Sequence, residues 1–173
     1  MLKPDSGYVR GAAYHEAAHI AIAAVQGLPL CKGGLHLDEN GAGLAEYRCT
    51  KPSRLKSIGA DAYKERTIIA TYAGHIAHGK FYPPVEAGDP NADDDFKCIN
   101  ELLLELHPAS DDRRDAAQRE LRKRSKELVE QHWEIIKVLA EALWAKKCEK
   151  HIEGAEVIIL LKQQGISAVL DED

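Results

Sequence analysis

Residues 11–29 read GAAYHEAAHIAIAAVQGLP, and this stretch decides the interpretation of the whole chain. Most of it is Ala, Ile and Val, interrupted by His15, Glu16 and His19. It closes on a glycine followed by a proline, which is typical of a helix C-terminus. The sequence therefore predicts a buried helix that carries two imidazoles and one carboxylate.

The polar residues of this stretch form the motif HExxH. Residues four apart lie about 40° apart around a helix, so His15 and His19 can bind one ion together. Glu16 falls beside the open face of such an ion, where it can accept a proton from a water whose pKa zinc lowers to roughly 7. Because this arrangement usually serves peptide hydrolysis, the motif predicts a zinc site with Glu16 as general base.

An alternative interpretation needs no metal. Both histidines would be hydrogen-bonded residues of the core, and Glu16 would form a salt bridge. The apolar surroundings favour the metal site, because burying such groups without partners costs several kcal/mol on order-of-magnitude estimates.

A catalytic zinc also needs a third protein ligand. The metzincin extension of HExxH is absent, since Ile22 and Val25 stand where its glycine and third histidine would be. The best source is the acidic start of a later predicted helix, at Asp93, Asp94 and Asp95. Carboxylates at a helix N-terminus can also serve only as caps and dipole partners, which is the alternative at this position.

The hydrophobic spacing predicts a mainly α (α+β) fold in one domain, residues 1–173. The expected elements, in chain order, are the HExxH helix over 11–26, a small hairpin over 30–49 turning at Asn40-Gly41, a helix over 55–79, a loop over 81–92, a helix over 93–106, one long helix from a cap at Ser110 to about Lys147, and a short helix from Gly154. An acidic tail, about 169–173, is expected to be frayed.

Composition narrows the class of protein. With 173 residues, 45% of them hydrophobic and 29% charged, the chain has an ordinary globular composition. The net charge of -5 argues against a nucleic-acid or anionic-lipid binder. The sequence shows no CxxC pair, no signal-type segment and no apolar run long enough for a bilayer, so we expect a cytoplasmic protein without a membrane anchor.

Four segments resemble one known family. The segment YHEAAHIAIAAVQGLPL (14–30) resembles the zinc-site helix of the FtsH family of ATP-dependent zinc metallopeptidases, and TIIATYAGHIAHGKFY (67–82) resembles the helix that follows it. DDDFKCINELLLEL (93–106) is similar to the third-ligand segment, with Asp95 as the ligand and Asp94 as the runner-up. WEIIKVLAEALWAKKCEKHIEGAEVIILL (133–161) is similar to the C-terminal helices of that peptidase domain.

The resemblance implies a zinc-dependent endopeptidase acting on peptides or unfolded proteins. It implies zinc on His15, His19 and Asp95, with Glu16 as the general base. It also implies that an edge strand near 43–47 pairs with an extended substrate. The peptidase domains of the family assemble into rings, so a homo-oligomer is a possible partner state.

Three positions depart from the family pattern. Ala18 replaces the usual glycine, and His75 and His78 stand where the family tends to have Arg and Glu. We expect ordinary surface or packing roles for these two histidines, with spare metal ligands as the alternative. Packing roles are likewise expected for Trp133 and Trp144, and an incidental pairing for Cys148 with His151.

The sequence also contains no Walker GxxxxGK[ST] motif. We therefore expect the chain to cleave flexible substrates, to work with an ATPase in trans, or to have become a non-catalytic binding or assembly module. Glu16 argues against the last alternative, because a peptidase domain that has lost its activity has no chemical need for a buried base. A zinc hydrolase of another substrate class is a further alternative.

Overall fold

A computed structural model describes residues 6–47, 58–82, 92–146 and 150–171 of the chain. Six helices and three strands lie within these ranges. In chain order they are α1 (Ser6–Val25), β1 (Leu35–Leu37), β2 (Gly43–Ala45), α2 (Ala60–Phe81), α3 (Ala92–Leu106), α4 (Asp111–Gln131), α5 (Trp133–Ala145), β3 (Lys150–Ile152) and α6 (Gly154–Gln163).

The architecture is mainly helical with one small antiparallel sheet, which confirms the predicted fold class. The sheet has the order β2-β1-β3. β1 pairs with β2 in the register Leu35↔Ala45 and with β3 in the register Leu35↔Ile152. The hairpin was expected, but β3 was not, since a three-residue strand carries too little periodicity to be recognised from sequence.

α1 is the centre of the molecule. Every residue from Gly11 to Ala24 is buried, and the helix packs against α2, α5 and the hairpin. Small side chains make this possible, because nearly half of α1 is alanine or glycine and neighbouring elements can approach its backbone closely. The helix that carries HExxH is therefore buried along most of its length, as the apolar sequence predicts.

The hairpin is closed by the expected turn. Gly41 has φ 88°, a left-handed conformation that glycine adopts without steric cost. The Asp38 carboxylate accepts hydrogen bonds from the backbone N–H groups of Asn40 and Ala42, each at 2.8 Å. This local bonding fixes the direction in which β2 leaves the turn and runs back along α1.

The single long helix expected from Ser110 to about Lys147 is wrong: the segment forms two helices. The Ser110 cap is confirmed, since its hydroxyl accepts a hydrogen bond from the Arg113 backbone N–H. His132, however, leaves helical geometry with φ -110° and ψ 24°, and separates α4 from α5. The break lets α5 turn onto α1, where the Glu141 carboxylate binds Arg10 and Tyr14.

The C-terminal tail is bonded to the segment that follows α1. Leu30 donates its backbone N–H to the Val169 carbonyl, and its own carbonyl accepts from Asp171. The expected fraying therefore does not extend to these residues, while 172 and 173 lie outside the described residues. So do 48–57, 83–91 and 147–149, which include parts of the predicted hairpin, of the helix over 55–79 and of the loop over 81–92, together with Cys148.

Within the four described ranges, no helix combines the length and the apolar character that a membrane crossing requires.

Candidate metal centre

The two histidines of α1 meet an aspartate from the start of α3. Asp95 Oδ2 lies 3.1 Å from His15 Nε2 and 3.2 Å from His19 Nε2. The side chains come from positions eighty residues apart in sequence, and all three residues are buried. The structure thus brings together the three residues that the sequence proposes as ligands.

The spacing of these atoms fits a small tetrahedral ion. Ligand atoms bound at 2.0–2.1 Å in a tetrahedron lie about 3.3 Å from one another, close to the two distances observed. One ligand atom from each residue lies within 4.8 Å of the others. Two imidazole nitrogens and one carboxylate oxygen are a donor set that zinc accepts, with room left for one further ligand.

The orientation of His19 is set by the backbone of α2. Its Nδ1 lies 2.8 Å from the Ala70 carbonyl oxygen. A carbonyl only accepts, so Nδ1 carries a proton and donates it, and in the neutral ring Nε2 then has the lone pair that a metal ligand needs. Such a partner on the second ring nitrogen is the usual companion of a metal-binding histidine.

A glycine on α2 keeps the space between the histidines clear. A Cβ placed on Gly74 would lie 2.5 Å from His19 Nε2 and 2.7 Å from His15 Nε2. Real Cβ atoms do not approach other atoms so closely, so any larger residue at this position would displace the two nitrogens. Gly74 therefore leaves open the volume that an ion held by both histidines needs.

Asp95 and Asp94 occupy different environments. Asp95 is buried with 8% of its surface exposed, whereas Asp94 is exposed at the rim of the same cleft. Burial alone would raise the pKa of the Asp95 carboxyl, but the positive charge that the His19 and His15 rings carry when protonated, and the hydrogen bonds that they donate, outweigh burial and lower that pKa well below its usual range. Of the two, only Asp95 joins the buried group of His15 and His19; the side chain of Asp93 lies outside the described residues.

Glu16 lies on the cleft side of the centre. Its side chain is buried, yet it lines a cleft of about 390 Å³ together with both histidines. A Cβ at Gly43 of β2 would lie 2.6 Å from Glu16 Cδ, so the strand passes directly over this carboxylate. The full lining is His15, Glu16, His19, Cys31, Gly43, Leu44, Ala45, Glu46, Tyr47, Asp94 and Asp95.

Tyr47 closes the hairpin side of the centre. Its ring stacks on His19 at a centroid distance of 5.7 Å and an angle of 23°. Its hydroxyl lies 2.8 Å from Thr71 Oγ1, which itself donates to the Thr67 carbonyl, so Tyr47 is the donor of the pair. The tyrosine therefore ties the chain beyond β2 to α2 and holds the ring of His19 between them.

His75 and His78 lie on α2 close to the centre but outside the ligand group. His78 is buried and packs against Tyr8 and Gly11, and His75 packs against Phe96 with ring centroids 4.5 Å apart. These contacts agree with the packing roles expected from sequence.

Both tryptophans also have packing roles. Trp133 stacks on Tyr14, and Trp144 lies under the ammonium of Lys150. His151 sits in β3 and bonds through Nε2 to the Gly33 carbonyl at 2.8 Å. None of these contacts reaches the ligand group.

Comparison with known families and with curated proteins adds nothing to this geometry. No family matches the chain, and no curated protein does. The interpretation of the site therefore rests on its residues and their arrangement.

Sequence reasoning missed the supporting residues of the centre. The Ala70 carbonyl, Gly74, Gly43 and Tyr47 have no motif of their own in the sequence. Each acts through an approach between elements that lie far apart in the chain. Only the glycines leave a trace, because a glycine inside a helix or strand suggests close contact with a neighbour.

Proposed function

We propose that the chain is a zinc-dependent metalloendopeptidase that hydrolyses flexible peptide segments. The observation that carries the proposal is the convergence of His15, His19 and Asp95 in one buried group, with Glu16 lining the same cleft. Two neutral nitrogens and a carboxylate are typical ligands of a hydrolytic zinc site. This arrangement is also what the resemblance to the FtsH family implies.

The chain supplies the base and the pocket for this reaction. When bound, zinc lowers the pKa of water to about 7 and polarises a carbonyl oxygen. The Glu16 carboxylate faces the same cleft, so it can accept the proton of the attacking water. The Ala70 carbonyl holds His19 in the tautomer that keeps Nε2 available.

The position of β2 supports a peptide as the substrate. β2 is at one end of the described sheet, and Gly43, Leu44 and Ala45 all line the cleft. An edge strand can bond an extended peptide through its backbone groups, which needs no particular side chains in the substrate. A peptide paired with β2 passes beside Glu16, because Gly43 lies directly against that carboxylate.

The direct test is Glu16→Gln. The amide keeps the shape of the side chain but cannot accept the proton, so we expect cleavage of a casein-type substrate to fall by about 10²- to 10⁴-fold. Zinc content should stay unchanged, because Glu16 is not in the proposed ligand set. Glu39→Gln makes the same change on the exposed turn of the hairpin and should leave cleavage intact.

Two results would contradict this function. Full cleavage by Glu16→Gln would remove Glu16 from the reaction. A folded, zinc-loaded parent that binds peptides without cleaving any would favour a non-catalytic binding module.

A further inference from the structure

The cleft beside the candidate metal centre is rich in carboxylates. Its lining includes the carboxylates of Glu16, Glu46, Asp94 and Asp95, but no lysine or arginine among the described residues. A divalent cation at the histidines balances Glu16 and Asp95. The charges of Glu46 and Asp94 then remain for the substrate to compensate.

The backbone pattern of β2 shows how a peptide would meet one of these charges. The Asp38 N–H donates to the Ala42 carbonyl, and the Glu46 N–H donates to the Gly34 carbonyl. Since bonding alternates along an antiparallel pair, Gly43 and Ala45 direct their N–H and C=O groups away from β1. These two residues would bond an added strand.

The side chains alternate in the same way. Gly43 and Tyr47 face α1, against Glu16 and His19. Residues two apart in an extended segment share a face, so Leu44 and Glu46 lie on the opposite one. An added strand would meet both at non-hydrogen-bonded positions, where cross-strand side chains come closest.

These two side chains differ in character. Leu44 is 53% exposed, so an apolar substrate side chain would cover it. Glu46 is half-buried, and its carboxylate rests against the backbone of Gly33. A Cβ at Gly33 would overlap that carboxylate, so this glycine permits the position that Glu46 adopts.

We propose that Glu46 determines substrate preference, selecting extended peptides with a lysine or arginine opposite it and an apolar residue two positions away opposite Leu44. This inference rests on the proposed peptidase function and adds the class of substrate. Asp94, which lines the same cleft, adds to the same preference.

The test uses the full chain and a set of quenched fluorescent peptides that differ at single positions. Lysine, glutamine, glutamate and leucine are placed in turn at each position around the cleaved bond. We expect one position at which kcat/KM falls about tenfold from lysine to glutamate, as an attractive pair becomes a repulsive one. The position that prefers leucine should lie two residues from it.

Three variants test whether Glu46 is responsible for the lysine preference. Glu46→Gln should reduce the lysine preference about threefold, and Glu46→Lys should invert it in favour of glutamate. Gly33→Ala keeps the charge but displaces the carboxylate, so it should also weaken the preference. Glu39→Gln removes an equal charge outside the cleft and should leave it unchanged.

A peptide-binding measurement tests this inference independently of the proposed peptidase function on which it rests. The affinity of labelled lysine and glutamate peptides is measured for Glu16→Gln, with and without Glu46→Lys. A lysine preference that Glu46→Lys inverts supports the inference, even if the parent cleaves no peptide and the proposed function fails. Cleavage without charge preference, or a preference that Glu46→Lys leaves intact, overturns the inference while the peptidase function stands.

Discussion

Helices α1 and α4 have nearly the same length, 20 and 21 residues, but opposite surroundings. α1 is buried at every position from 11 to 24, including the three polar residues of HExxH. In α4 the buried residues are Leu121, Ser125 and Val129, and the other faces are dominated by charged side chains.

The difference shows where a polar side chain carries functional information. A charged residue on α4 is solvated by water and needs no further explanation. His15 and Glu16 on α1 are buried away from that water. The fold must therefore supply other partners for them, because burying a polar group without a partner is unfavourable. In this molecule the polar residues of the most buried helix, rather than those of the most charged one, indicate the site.

The largest expected difference between α1 and α4 is in the free energy of unfolding that is lost when an apolar side chain is truncated. Ile20 on α1 is fully buried, whereas Leu128 on α4 is half-buried. Ile20→Ala should lower the free energy of unfolding by about 3 kcal/mol, because it leaves a cavity. Leu128→Ala should lower it by about 1 kcal/mol. Chemical denaturation measures both, and equal losses would show that the helices contribute alike.

A second effect sharpens the comparison at the contact between α1 and α2. Gly74→Ala places a Cβ against Nε2 of His15 and His19, so zinc affinity should fall about 10- to 100-fold. Gly79→Ala is the matched control, because it lies on the same helix with nothing within 4 Å of the added Cβ. Competition with a zinc-binding dye measures both affinities. Unchanged affinity in Gly74→Ala would mean that the ion does not lie between these nitrogens.

The smallest effect concerns the attachment of α1 to α5. Tyr14 donates to Glu141 at 2.7 Å, and burial, together with that carboxylate, raises the pKa of Tyr14 to about 12. The raised pKa stabilises the fold below pH 10, and this contribution is lost between about pH 10 and 12. Tyr14→Phe should cost about 1 kcal/mol at pH 8.

The difference between parent and Tyr14→Phe should narrow as pH rises above 10. Chemical denaturation of both proteins at several pH values measures this difference. The other titratable groups are the same in both proteins, so their contributions cancel in the comparison. A difference that stays constant to pH 12 would show that Tyr14 does not titrate as described.

Much of this fold follows from local patterns. The C-terminal end of α1, the Asn40-Gly41 turn, the Ser110 cap and the start of α6 each carry a signal within a few residues, whereas α1 begins at Ser6 and not at the expected residue 11. The break at His132 does not, because neither proline nor glycine marks it. It accompanies the packing of α5 on α1, where Glu141 contacts Arg10 from a distant segment of the chain.

The candidate centre divides in the same way. His15, Glu16 and His19 were found from one motif, since their spacing alone places them together on a helix. The resemblance favours Asp95 over Asp94, and the structure places Asp95 in the buried group with both histidines, because residues adjacent in a helix differ by about 100° in direction. The roles of Gly74 and Tyr47 depend on how close α2 and the hairpin come to α1, which no local pattern encodes.

The central claim is tested most directly by the metal content of the purified protein. Elemental analysis of the parent is run beside Asp95→Ala and Asp94→Ala, with circular dichroism to confirm that each is folded. We expect about one zinc per chain in the parent and in Asp94→Ala, and a clear loss in Asp95→Ala. A folded parent that takes up no zinc when the ion is supplied would contradict the account, and so would a loss confined to Asp94→Ala.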